Sequence, residues 1–131
     1  MKKSLPLLVA ASFALSFAGG ASALTKEEHK AQKESIEANY KAAKERCAAM
    51  EGNAKDICNA EAKGQEKVAK AELEAQFKPS PKATAKVAEV KADAAYDVAK
   101  EKCDDLAGNA KDACQKEAKA AHASAKAGSR G

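Results

Sequence analysis

Four cysteines, set out twice at the same spacing around the same Gly-Asn step, constrain this chain more than any other feature. Residues 40–63 read YKAAKERCAAMEGNAKDICNAEAK and residues 96–119 read YDVAKEKCDDLAGNAKDACQKEAK. At a constant offset of 56 residues, 14 of the 24 positions are identical, among them Tyr40/Tyr96, Cys47/Cys103, Gly52/Gly108, Asn53/Asn109, Asp56/Asp112 and Cys58/Cys114. Tyrosine, cysteine, glycine and asparagine are scarce in this chain, so shared composition does not produce such a run. Self-similarity at a fixed period marks one supersecondary unit used twice.

Each unit reads as a helical hairpin. Ile36, Tyr40, Ala43, Cys47 and Met50 recur at alternating steps of four and three, the pattern of a coiled-coil seam, and Ala92, Tyr96, Ala99, Cys103 and Leu106 repeat it. The seam positions predict packing roles for Tyr40 and Tyr96. Gly52 and Gly108 can take the left-handed conformation that ends a helix. Asn53 and Asn109 are predicted N-caps, with Asp56 and Asp112 at the third helical position beside the positive end of the helix dipole. A chain reversing at each Gly-Asn brings Cys47 opposite Cys58 and Cys103 opposite Cys114. The predicted disulfides are therefore Cys47–Cys58 and Cys103–Cys114, each worth about 3 kcal/mol in the chain-entropy picture.

The expected fold is all-α, with two tandem stapled antiparallel hairpins and four long helices. Thr25 and Glu28 form a capping box that opens a helix running to about Met50. The second helix spans about Ala54 to Phe77. Lys78-Pro79-Ser80-Pro81 breaks the chain, with Ser80 as cap and Pro81 as the first residue of a third helix that ends near Leu106. The fourth runs from about Ala110 to Ala125. The expected organisation is hairpin one over 24–78, a proline linker at 79–81, hairpin two over 82–127 and a flexible tail at 128–131. The hairpins can close as a loose four-helix bundle or lie side by side as an elongated pair. The alanine-rich last helix favours the elongated form, because alanine buries little area.

The N-terminal residues read as an export signal. Lys2 and Lys3 precede the apolar stretch Leu5–Phe17, and Ala21-Ser22-Ala23 supplies a small-x-small site, so cleavage is expected after Ala23. The mature part then holds 21 basic and 19 acidic residues and no further apolar run able to span a membrane. So balanced a charge is not that of a nucleic-acid binder. It reads instead as solvated helix faces with pairs four residues apart. Export to the periplasm agrees with oxidised cysteines.

Candidate chemistry is sparse. Ten residues separate the cysteines of each pair, whereas structural zinc sites usually space paired cysteines about two to four apart. There is no C-x-x-C motif. His29 and His122 fall outside the repeat and have no acidic partner fixed by spacing, so they are expected at the solvent-exposed surface. No glycine-rich phosphate loop or activated nucleophile stands out. The chain is expected to be non-catalytic, without cofactor or metal. The expected role is structural or protein-interacting in the cell envelope, with another helical protein or a second copy as partner. The alternative is a periplasmic thiol-redox or metal-handling protein using Cys47, Cys58, Cys103 and Cys114.

The leader, the segments GNAKDIC and GNAKDAC and the connector KVAKAELEAQFKPSPKA together resemble a group of small Ala/Lys/Glu-rich exported proteobacterial proteins, often labelled TolA-like or cell-envelope biogenesis proteins. The resemblance covers nearly the whole mature chain and implies a helical envelope protein. The paired cysteines are also similar to twin C-x9-C helical hairpins. There the two disulfides staple a single hairpin, whereas here each of two hairpins would carry one.

Overall fold

Alanine, lysine and glutamate, all strong helix formers, fill the segments between the turn signals. The computed structural model describes residues 23–130. All but the last residue of the expected leader, and Gly131 of the expected tail, lie outside the described residues. Four helices follow one another: α1, Lys26–Ala48; α2, Gly52–Phe77; α3, Pro81–Cys103; and α4, Gly108–Ser129. Positions 128 and 129 of the expected tail are the last turn of α4.

Two of the helix starts follow the sequence signals. The Glu28 N–H donates to Thr25 Oγ1 (3.1 Å) and the Thr25 N–H donates to Glu28 Oε2 (2.8 Å), which closes the capping box. Ser80 Oγ accepts from the Ala83 N–H at 3.0 Å, and Pro81 occupies the first turn, where a missing N–H costs nothing.

The stapled turns differ in detail from expectation. α1 ends at Ala48 and α3 at Cys103, two to three residues early, and each tightens into i→i−3 bonds: Met50 N–H to the Cys47 carbonyl and Leu106 N–H to the Cys103 carbonyl, both 3.0 Å. The left-handed residues are indeed Gly52 (φ 59°) and Gly108 (φ 57°), but each opens the second helix of its hairpin rather than closing the first. The residues before them, Glu51 and Ala107, are extended and make no side-chain cap. Asn53 and Asn109 thus fall inside the first turn instead of capping it. Asp56 and Asp112 are the fifth helical residues, beyond the first turn.

Both disulfides form as expected, Cys47–Cys58 and Cys103–Cys114, with Cα separations of 5.5 and 5.6 Å. The antiparallel packing of α2 on α3, with Asn53 bonded to the Glu101 carbonyl, sets both stapled turns at the same end of the molecule.

Each helix packs only on its neighbours in sequence, and α2 with α3 is the most extensive contact. Helical position explains this. At about 100° per residue, Cys58 and Ala62, which meet α1, lie on the opposite side of α2 from Asn53 and Gly64, which meet α3. On α3, Ala94 and Glu101 face α2, while Tyr96 and Cys103 on the far side face α4. The four helices therefore stand in one antiparallel row, the elongated arrangement of the two that the sequence allows.

A single row has little interior. The buried apolar residues are Ala43, Cys47, Ala62, Leu73, Ala92, Cys103 and Ala118. Gly64 is buried against Ala94, and a Cβ there would stand 3.1 Å from the Ala94 Cβ, so glycine sets how closely α2 and α3 approach.

Candidate functional site

A row of helices presents two broad faces, and here they differ in chemistry. Along the α2–α3 groove on one face, Gly64, Gln65, Val68 and Ala69 of α2 meet Ala94, Ala95, Val98 and Ala99 of α3 around a trough of about 620 Å³. Small side chains on both helices leave this trough shallow and apolar. Its edges carry charge of opposite sign: Glu61 and Glu72 on α2, Lys102 on α3, with Lys91 of α3 bonded to Glu72 at 2.7 Å.

On the other face the same two helices present Asp56, Asn59, Lys63, Asp97, Lys100 and Glu101 near the stapled end. Lys67, Lys70, Glu74, Lys86 and Asp93 continue it toward the open end, around the apolar side chains of Ala71, Ala83 and Val90. Lys70 is held above the usual lysine value, first by its hydrogen bond to Glu66 and further by that carboxylate's charge. Charged side chains thus crowd the second face around a few apolar ones, whereas on the first they stand only at the rim of the trough. That division was latent in the sequence, but it becomes visible only once α2 and α3 are known to be neighbours.

Cys47 and Cys103 are the most deeply buried side chains, at 1% and 0% exposure. Tyr40 packs with Cys58 against Ala43, Cys47 and Ala62, in the expected seam role. Ile36 is half-buried beside the α1–α2 groove. Met50 and Leu106 leave the seam: each is 44% exposed, because the helices end before them and the heptad register does not reach into the turns.

The histidines are where the sequence reading fails most clearly. Neither is simply exposed. His29 of α1 stacks on Phe77 of α2 (centroids 4.3 Å apart) and its Nε2 lies 2.6 Å from Glu74 Oε1. His122 of α4 stacks on Tyr96 of α3 (4.6 Å) and its Nε2 lies 2.6 Å from Asp93 Oδ1. Each imidazole clips an outer helix to its inner neighbour by one aromatic face and one carboxylate. Their side chains are only 20% and 23% exposed. Sequence spacing carries no signal for these partners, which lie 45 and 29 residues away.

Lys126 extends the second clip, with Nζ 3.3 Å from Glu89 and 3.4 Å from Asp93. The hydrogen bond from His122, then that from Lys126, holds the Asp93 carboxyl below its ordinary value. Glu89 and Asp93 together raise Lys126.

Among the described residues, no three His, Cys, Asp or Glu side chains converge as a metal site would require, and no helix is long and apolar enough to cross a membrane. Comparison with models of known protein families, with curated proteins and with solved structures finds no match.

Proposed function

We propose that this chain is a non-catalytic interaction module of the cell envelope, exported by its leader and working in the periplasm through the apolar face of its helical row. The single observation that carries the reading is the asymmetry between the two faces of α2 and α3. One exposes a trough walled mainly by valine, alanine and glycine, with Gln65 among them and charge only at its rim; on the other, charged side chains predominate and Ala60, Ala71, Ala83 and Val90 lie among them. A stable domain usually covers an apolar face with a second layer, and a strip left open on a rigid scaffold suits an incoming helix.

The cysteines support a mechanical part in this. One sulfur of each disulfide, Cys47 or Cys103, is buried and its partner, Cys58 or Cys114, half-buried, a poor placement for exchange, which needs an accessible sulfur; the bonds fix the ends of long helices that have few other buried contacts. Disulfide bonding fits an oxidising compartment.

Site-specific photo-crosslinking in cells tests the reading. A photoreactive residue at Val98, in the trough, should give discrete adducts, and one at Lys63, on the charged face, should not. Absence of adducts at Val98, or equal labelling at both sites, overturns the proposal. N-terminal sequencing of the periplasmic fraction tests export, with Leu24 expected as the first residue.

A further inference from the structure

We infer that the occupant of the apolar strip is a second copy of the same chain, stacked face to face to turn two helical rows into a two-layered dimer; this rests on the interaction reading above. Three observations point to a second copy. The strip lies at the middle of the row, on the α2–α3 pair. It is flanked by a row that is one helix thick on either side, so a second layer of the same width would cover it. And its charged edges are self-complementary in one orientation only.

The orientation follows from where the charges sit. Glu61 and Glu72 line the α2 edge, and Lys91 and Lys102 the α3 edge. A two-fold axis parallel to the helices places α2 of one copy over α3 of the other. The acidic edge then meets the basic edge, twice by symmetry, with Glu72 level with Lys91 of the other copy. A two-fold axis across the helices would set acidic edge on acidic edge and basic on basic, which is destabilising. A closed, isologous pair of this kind is the commonest form of soluble oligomer. Val68 and Val98 lie within the interface, and the small residues around them allow close helix approach.

The contact is modest. Two helix diameters by the shared length of α2 and α3 give a strip of about 20 by 30 Å, or about 600 Å² per copy. That lies at the lower margin for a specific interface, so a reversible, micromolar dimer is expected rather than an obligate one.

Sedimentation velocity of the oxidised mature chain from about 1 to about 200 μM tests this, bracketing the affinity that such an area supports. The wild-type chain should shift from monomer to dimer across that range. Val98→Glu should abolish the shift, and Glu61→Lys should raise the dissociation constant at least about tenfold. Adding Lys102→Glu to Glu61→Lys should restore association, because the two reversed charges again face each other across the dimer. Lys63→Glu, on the opposite face, should leave association unchanged. Circular dichroism of every variant checks that helicity is retained, and Glu61→Lys, a surface change, keeps the test decisive if Val98→Glu unfolds. A monomer at all concentrations, or a dimer indifferent to Val98→Glu and Glu61→Lys, overturns the inference. A monomer whose Val98 probe nonetheless crosslinks to a different protein in cells would remove the dimer and leave the interaction reading standing.

Discussion

The side-chain amide of Asn53, at the start of α2, donates to the main-chain carbonyl of Glu101, near the end of α3, at 2.7 Å. It is a direct polar tie between the two hairpins. Its repeat counterpart, Asn109, occupies the same place at the start of α4, where no further helix lies alongside, and it is exposed. One sequence word therefore does two different jobs, set only by whether its hairpin has a neighbour. Asn53→Ala should cost about 1 kcal/mol, or about 4–8 °C in Tm. Asn109→Ala should stay within about 0.5 kcal/mol of wild type. Thermal denaturation of both variants separates the two positions.

The close approach of α2 and α3 at Gly64 makes a second asymmetric pair. A side chain at Gly64 meets Ala94, whereas the repeat counterpart, Ala120, is exposed on the outer helix. Gly64→Leu should destabilise by about 1–3 kcal/mol through overpacking, despite the gain in helix propensity. Ala120→Leu should be close to neutral. Chemical denaturation reads both.

Each outer helix touches only one partner, so each disulfide should hold its own hairpin independently. Replacing Cys103 and Cys114 by alanine should cost about 2–4 kcal/mol and strip hydrogen-exchange protection from α4 while α1, α2 and α3 keep theirs. The Cys47/Cys58 pair should release α1 in the same selective way. Simultaneous loss of protection in all four helices would indicate a cooperatively closed core instead of a row.

The second clip has a defined response to acid. Asp93 has its folded pKa lowered by His122 first and Lys126 next. Its contribution to stability is therefore complete above the ordinary carboxylate value and is lost as pH falls through the lower folded value. Lys126 has its value raised by Glu89 and Asp93. Its contribution holds through neutral pH and is lost only as strongly alkaline conditions pass the raised value. Melting curves of wild type and Asp93→Asn should differ at pH 6 and converge as pH falls below about 4.

Much of the fold was legible because its signals are local. The 56-residue repeat, the sulfur pairing and the Thr25 and Ser80 caps all depend on residues close in sequence. What was not legible depends on which faces meet. The helix starts at Gly52 and Gly108 displaced Asn53 and Asn109 from the capping position, and the early ends of α1 and α3 left Met50 and Leu106 outside the seam. The histidine clips and the Gly64–Ala94 contact require the register between separate helices, which heptad spacing within one helix does not contain. The repeat itself misleads here, since it implies equivalence between an inner helix and an outer one.

The proposed interactions depend most on the four helices forming a row rather than a closed bundle. Pulsed electron paramagnetic resonance between spin labels carried on unnatural amino acids at Glu45 of α1 and Glu117 of α4, both exposed and near the stapled end, measures this directly. Three interhelical spacings of about 9 Å predict a backbone separation of about 27 Å. A separation of about 10 Å would place α1 against α4 and contradict the open apolar face on which the proposed interactions rest.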